Sequence, residues 1–449
     1  ATLESKDFAF HTMDLAADTA ALNIKTTGDK VTFKTPNVNA KVDFKTRIGD
    51  FVSNQKNIPT EFSYNQYTTA INQFKWFMDE KILDFKAPPQ GPGEYFTSTR
   101  PDQKGLRFLG KRATYSLVTS IIRVEQVPEI RVADASVVPD SGVVIIEPEA
   151  KMQQLRNATI IADTITKLHK IENATVDIYS KEELKGFGIY RYTTKGIKQI
   201  IEFKDVLCKK EREGERKKAH DIWQLNANAS IEKDSNFVIY PNVKFNGDVH
   251  LLSVNKFLGF KGYAEIGLKH AGVNNSDFSI DQDIDPEKLQ LKFDDKTKNA
   301  NGNAVSAGIH LNPAEDVREM YATFMAPKKD GKDVTLFQST GIITQSATGE
   351  YSYGDEKKIK DNNPRGNVLR YDDKKGIAKA EGTFNLGTNF GLIKTKAAGF
   401  GEVYLDSAKY KFNLTFGINA NIESKIQERL EVYMGGDNED LKSISLKEC

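Results

Sequence analysis

Apolar and polar residues trade places with period two over much of this chain. Ala21-Leu22-Asn23-Ile24-Lys25, Lys30-Val31-Thr32-Phe33-Lys34 and Ala40-Lys41-Val42-Asp43-Phe44-Lys45 each turn one face inward and one to water. Thr27-Gly28-Asp29 and Thr35-Pro36-Asn37 are turn signals between them. The alternation returns near 242–251, 257–266, 306–311, 321–326, 334–343 and 378–416, the last block punctuated by glycine. Such short, regularly spaced runs predict the strands of a sandwich or of an open, curved sheet. Helical spacing is confined to the end, where Ile422, Ile426 and Leu430 recur at i+4 and Met434 continues the row to Gly435-Gly436. A short C-terminal helix is expected there, capping an open sheet edge.

Between about 119 and 203 the pattern changes. The phrases Asp134-Ala135-Ser136-Val137, Asn157-Ala158-Thr159-Ile160, Asn173-Ala174-Thr175-Val176 and Asn228-Ala229-Ser230-Ile231 repeat a turn residue and a small residue before a β-branched strand start. Asx side chains satisfy local backbone groups at corners, and alanine leaves room for a neighbouring layer. The repeats predict rungs of a coiled sheet, with Ile130, Val132, Ile160, Val176 and Ile178 in its core and Thr159 and Asp177 outside. Val143–Ile146 and Ile160–Ala162 are apolar at consecutive positions, as in strands covered on both faces. The centre is therefore expected to be filled.

Residues 55–118 are rich in aromatics, among them Phe62, Tyr64, Tyr67, Phe74, Trp76, Phe85, Tyr95, Phe96, Phe108 and Tyr115. They read as a plug for one face of the sheet, with a ligand-stacking platform as the sharper alternative. Ala87-Pro88-Pro89-Gln90-Gly91-Pro92-Gly93 must be a loop.

Composition narrows the class. Lys+Arg is 63 and Asp+Glu 62, so the 449-residue chain carries a net charge of +1, without the basic surplus of a nucleic-acid binder. A hydrophobic share of 39% is low for one compact globule of this length and suits a body with much surface per residue. Cys208 and Cys449 are the only cysteines, too few for a disulfide framework or a cysteine zinc site. No apolar run approaches the ~20 residues of a membrane helix. The start at Ala1 suggests a processed chain or a piece of a longer one.

Candidate chemistry is thin. Asp281, Asp283 and Asp285 have calcium-loop spacing, but Pro286 and Lys292 stand where an EF-hand needs Gly and Glu, so a solvated acidic turn is expected. The six histidines form no metal-binding unit, and His169 reads as a turn or edge residue. Gly186-Phe187-Gly188 lies between strands with no helix after it and reads as structural. The mixed-sign run 209–218 reads as a solvated loop or strand tip. Asp177, Lys181, Glu182, Glu183 and Lys185 are the nearest approach to the acidic and basic cluster of a β-helix polysaccharide lyase. No catalytic residue and no cofactor site is assigned.

VADASVVPDSGVVII…AKMQQLRNATIIAD, FSYNQYTTAINQFKWFMDE and PDQKGLRF resemble long envelope proteins of Bacteroidota-type Gram-negative bacteria, over about Leu22 to Ile422. The amphipathic blocks at the two ends are similar in pattern, though not in motif, to the β-groove (β-taco) layers of lipopolysaccharide-transport OstA-type and AsmA-like proteins. The resemblance implies an envelope location, periplasmic or on the surface side of the outer membrane, and extended β architecture. It carries no catalytic residues.

The expected fold is all-β, an elongated stacked-strand solenoid or β-groove with a short C-terminal helix. The expected divisions are 1–118, 119–231, 232–419 and 420–449. The leading functional expectation is a non-enzymatic structural or bridging component of an outer-membrane-associated assembly, with envelope proteins as partners and no nucleic acid. The alternative is a lipid-conducting groove whose lipid-facing residues are Leu22, Ile24, Val31, Phe33, Phe384, Phe412 and Phe416. A carbohydrate-active β-helix is the more distant one.

Overall fold

The structure, a computed structural model, describes all residues except 26–29, 56–58, 72, 214–219, 315–318, 387–388, 391–392, 408 and 421–449. The expected C-terminal helix with Ile422, Ile426, Leu430 and Met434 lies outside the described residues, as do the 27–29 turn and Leu392. The chain is nearly all β, with one short α-helix among the described residues, α1 (Glu356–Asp361). It divides into two units: Ala1–Tyr192 with Gln199–Ala229 and His250–Lys256, and Thr193–Lys198 with Ser230–Val249 and the chain from Phe257 onward. The division falls near 229, and nothing breaks at 118, where one hairpin spans the expected boundary.

The first unit grows from a long hairpin. Strands β1 (Thr2–Glu4) and β2 (Asp7–Phe10) pair with β3 (Asp14–Lys25), which pairs with β4 (Val31–Asp43). From β4 two ladders diverge. Val38–Asp43 pairs with β5 (Ile48–Ser53), and that ladder continues through β8 (Gln73–Phe77), β9 (Ile82–Lys86), β12 (Arg112–Ser116), β13 (Ile121–Glu125) and β16 (Val144–Ile146). Phe33 and Lys34 pair instead with β6 (Thr60–Phe62). This second ladder runs through β7 (Tyr67–Thr69), β10 (Glu94–Ser98), β11 (Arg107–Gly110), β14 (Ile130–Val132), β15 (Ala135–Val138), β17 (Leu155–Ala162), β18 (His169–Ile178) and β19 (Leu184–Thr194). Successive hairpins thus alternate between the two ladders, and every pairing named here is antiparallel.

Period-two alternation makes this stable, because each ladder has one apolar face and the two faces cover each other. Phe62 on the second ladder lies 5.4 Å from Phe85 and 5.1 Å from Tyr115 on the first. Phe33, Phe51, Phe62, Phe85, Phe96, Phe108 and Tyr115 are all buried. The rings of the aromatic segment fill the space between the inner faces of the two ladders.

The hairpin turns at 44–47, 63–66, 78–81 and 117–120 are four residues long and share one device. Each ends on a left-handed residue: Arg47, Gln66, Lys81 and Ser120, with φ of 50–57°. None is glycine, the residue that enters that region at least cost.

The repeated phrases differ from the expected rungs. Ala133 and Asp134 form the two-residue turn between β14 and β15. Asn157 and Asn173 sit at β-bulges in β17 and β18, both left-handed. Asn228 lies on β21 (His220–Ile231) opposite Asp205 of β20 (Ile197–Glu213), at neither a turn nor a bulge. The same β20–β21 pairing takes up Lys209 to Glu213, so the first half of the mixed-sign run is strand. Val143–Ile146 and Ile160–Ala162 are not covered on both faces either: Val144, Ile146, Ile160 and Ala162 are buried while Ile145 and Ile161 are half-buried.

In the second unit, β22 (Val238–Tyr240) pairs with β23 (Val243–Leu252), and β24 (Gly259–Ile266) with β25 (Asp277–Asp283). A three-stranded sheet sets β27 (Ser306–Leu311) between β28 (Met320–Ala326) and β29 (Val334–Ser339). A larger sheet runs β26 (Gln290–Phe293), β30 (Gly341–Gln345), β31 (Tyr351–Gly354), β32 (Val368–Asp372), β33 (Ile377–Phe384), β35 (Ile393–Tyr404) and β36 (Lys409–Ala420), with β34 (Asn389–Phe390) also on β35. Rings join the two sheets: Phe324 stacks on Tyr371 at 3.9 Å and Phe337 meets Phe384 at 5.0 Å. Helix α1 is capped by Asp355, which accepts from the Lys358 N–H at 2.9 Å.

Candidate functional site

The residues expected to face lipid do not share one open face. Leu22, Ile24 and Phe33 are buried in the first unit, Val31 is half-buried, and Phe33 is enclosed by Phe62, Phe74 and Phe85 at 5.4–5.8 Å. An apolar face read from one hairpin is here covered by the opposite ladder. In the second unit Phe384 is buried against Phe337 and Phe412, while Phe412 and Phe416 on β36 are exposed. Ile130, Val132, Ile160, Val176 and Ile178 are all buried, and Thr159 and Asp177 are half-buried on the other face.

The lyase-like group is dispersed. Asp177 accepts from Gln154 Nε2 at 3.0 Å, Glu182 is paired with Lys104, and Glu183 and Lys185 are exposed. Among the described residues no three His, Cys, Asp or Glu stand close enough to hold a metal ion. Asp281 lies on a strand, paired with Lys261 at 3.0 Å, and Asp285 accepts the Glu287 N–H. His169 is neither turn nor edge: it is buried, with Nε2 2.7 Å from the Asn255 carbonyl oxygen.

Two buried polar clusters were invisible in the sequence. Asp134 accepts the Leu225 N–H at 2.8 Å and the Ser253 hydroxyl, tying the β14–β15 turn to residues about 90 and 119 positions away. Burial raises its carboxyl above the ordinary aspartate range. His310, fully buried on β27, lies between Thr335 Oγ1 at 3.1 Å and Thr323 Oγ1 at 2.9 Å. Burial, and then the Lys328 charge, lower its imidazole to about 4. A neutral, enclosed imidazole with both nitrogens occupied is a core hydrogen-bond hub.

The outward face of the second ladder holds a different arrangement. Tyr95 on β10, Arg107 and Leu109 on β11, Glu129 and Arg131 at β14, and Lys181 in the β18–β19 turn line a cavity of about 310 Å³. Arg107 and Arg131 each adjoin a member of the antiparallel pair Phe108↔Ile130, which brings both to this face. Arg107 lies 4.7 Å from the centre of the Tyr95 ring. Arg131 Nε donates to Glu129 Oε1 at 2.7 Å, and the Ser136 hydroxyl donates to Glu129 Oε2 at 2.5 Å. Ser136 first, then Arg131, hold the Glu129 carboxyl below its usual range. The Lys181 turn is pinned by its N–H to the Gln103 carbonyl and by its carbonyl to the Ala133 N–H. Among the described residues neither Arg107 nor Lys181 is paired with a carboxylate. Arg107 and Arg131 are 24 positions apart in the chain, so only strand register reveals the pair.

No protein-family model, no curated protein and no solved structure matches this chain.

Proposed function

We propose that the chain is a structural or bridging component of the Gram-negative envelope, working through its outer surfaces beside envelope or outer-membrane proteins. The envelope part rests on the sequence resemblance given above. The bridging part rests on one observation: the interior between the two ladders is occupied by the chain's own rings, Phe33, Phe62, Phe74, Phe85 and Tyr115. An acyl chain there would have to push these close-packed rings out of a filled interior, and overpacking such a core is itself destabilising. The runner-up, a conduit for lipid, keeps support from the exposed Phe412 and Phe416 on β36.

Photo-crosslinking amino acids at Phe33, Ile160 and Phe412 in envelope-expressing cells separate the two. The bridging reading expects protein adducts at Phe412 and no lipid adduct at Phe33 or Ile160. Lipid adducts at all three would sink it.

A further inference from the structure

We propose that the Tyr95–Arg107–Arg131–Lys181 pocket binds an acidic saccharide, its acid group held by Arg107 and Lys181 and its ring against Tyr95. The inference rests on the reading that the chain acts through its surfaces, and it names what one of those surfaces takes.

The charge arrangement is the first support. Arg107 and Arg131 flank the Phe108↔Ile130 pair and line the same cavity, Lys181 adds a third cation, and Glu129 is the single carboxylate among the lining residues. Glu129 is already engaged by Arg131 and Ser136, which leaves Arg107 and Lys181 to an incoming anion. A guanidinium fork matches a carboxylate or phosphate through two parallel N–H···O bonds.

The second support is shape. About 310 Å³ is at the small end of ligand pockets and suits one sugar ring with its acid group. Tyr95 is 45% exposed with Arg107 over one face of its ring, and the remainder of the ring offers apolar surface beside the cations. The third is rigidity. Tyr95, Arg107 and Arg131 stand on paired strands, and the Lys181 turn is held at both its N–H and its carbonyl. Little ordering is therefore needed on binding.

Titration calorimetry on the whole chain tests this with D-galacturonate, D-galactose and inorganic phosphate as probes. Galacturonate is expected to bind, to weaken as salt rises, and to exceed galactose by at least tenfold. Arg107→Gln and Tyr95→Ala should each weaken galacturonate at least fivefold while leaving the melting temperature within about 2 °C. Galactose binding as tightly as galacturonate, or galacturonate indifferent to Arg107→Gln, would overturn the proposal. Phosphate binding with galacturonate absent, or with no effect of Tyr95→Ala, would reduce the site to a bare anion site and overturn the saccharide. Silence from all three probes would overturn it as well. Any of these leaves the bridging reading intact, because that reading stands on the crosslinking pattern.

Discussion

Asn157 and Asn173 hold left-handed backbone, with φ of 55° and 49°, one residue before the paired alanines Ala158 and Ala174. The two bulges shift the register of β17 on β18 on either side of that alanine pair. Asparagine enters this region more readily than other residues with a Cβ, which lose about 1–2 kcal/mol there. Asn157→Ala and Asn173→Ala should each destabilise the first unit by about 1 kcal/mol, and Asn→Gly at either site should cost less than Asn→Ala. Chemical denaturation checks the order; alanine matching glycine at both sites would refute the bulge argument.

Core and surface aromatics should part company. Phe33 is fully buried among three other rings, so Phe33→Ala should cost about 3–5 kcal/mol. Phe416 is 59% exposed, and Phe416→Ala should stay within about 0.5 kcal/mol. Comparable melting shifts for the two variants would mean that the ladders do not enclose Phe33.

His310 predicts an acid-sensitive second unit. A base whose pKa falls on folding is protonated more readily in the unfolded chain, so its contribution is complete above about pH 6.5 and shrinks as pH falls towards 4. The loss over that window is up to about 3 kcal/mol. His310→Gln should be less stable at pH 7 yet lose less between pH 7 and 4.5. Parallel pH curves for parent and variant would count against an enclosed neutral imidazole.

Asp134 has the opposite sign. Its pKa is raised by burial, so the native state holds its proton longer, and stability falls as pH rises from about 4 through the higher folded value. Asp134→Asn should remove that downward step. Asp134→Ala should cost more, because it leaves the buried Leu225 N–H and the Ser253 hydroxyl without their acceptor, at about 1–3 kcal/mol for each group. Urea denaturation of the three proteins from pH 4 to pH 8 checks both statements; Asn and Ala behaving alike would contradict them.

Much was legible because it is local. Alternation around Leu22, Ile24 and Phe33 marked strands and their buried face, since successive side chains in a strand point to opposite sides. The same rule placed Ile160 and Val176 inside and Thr159 outside. Asn157 and Asn173 were recognisable as special backbone positions, since Asx residues tolerate left-handed conformations. Their use as bulges was not recognisable, because a bulge is defined by the partner strand.

What the tertiary structure alone decided depends on pairing at a distance. An apolar face at Phe33 is the same in an open trough and in a closed sandwich; the opposite ladder, with Phe62 and Phe85, closed it. The left-handed turn ends at Arg47, Lys81 and Ser120 carry no glycine, so no local signal announces the hairpins that swing between ladders. Asp134 meets Ser253, and Arg107 and Arg131 come to line one cavity, only through register and chain return. One-dimensional periodicity determines which side of a strand is apolar, and only the fold determines what that side, and the polar side opposite, will touch.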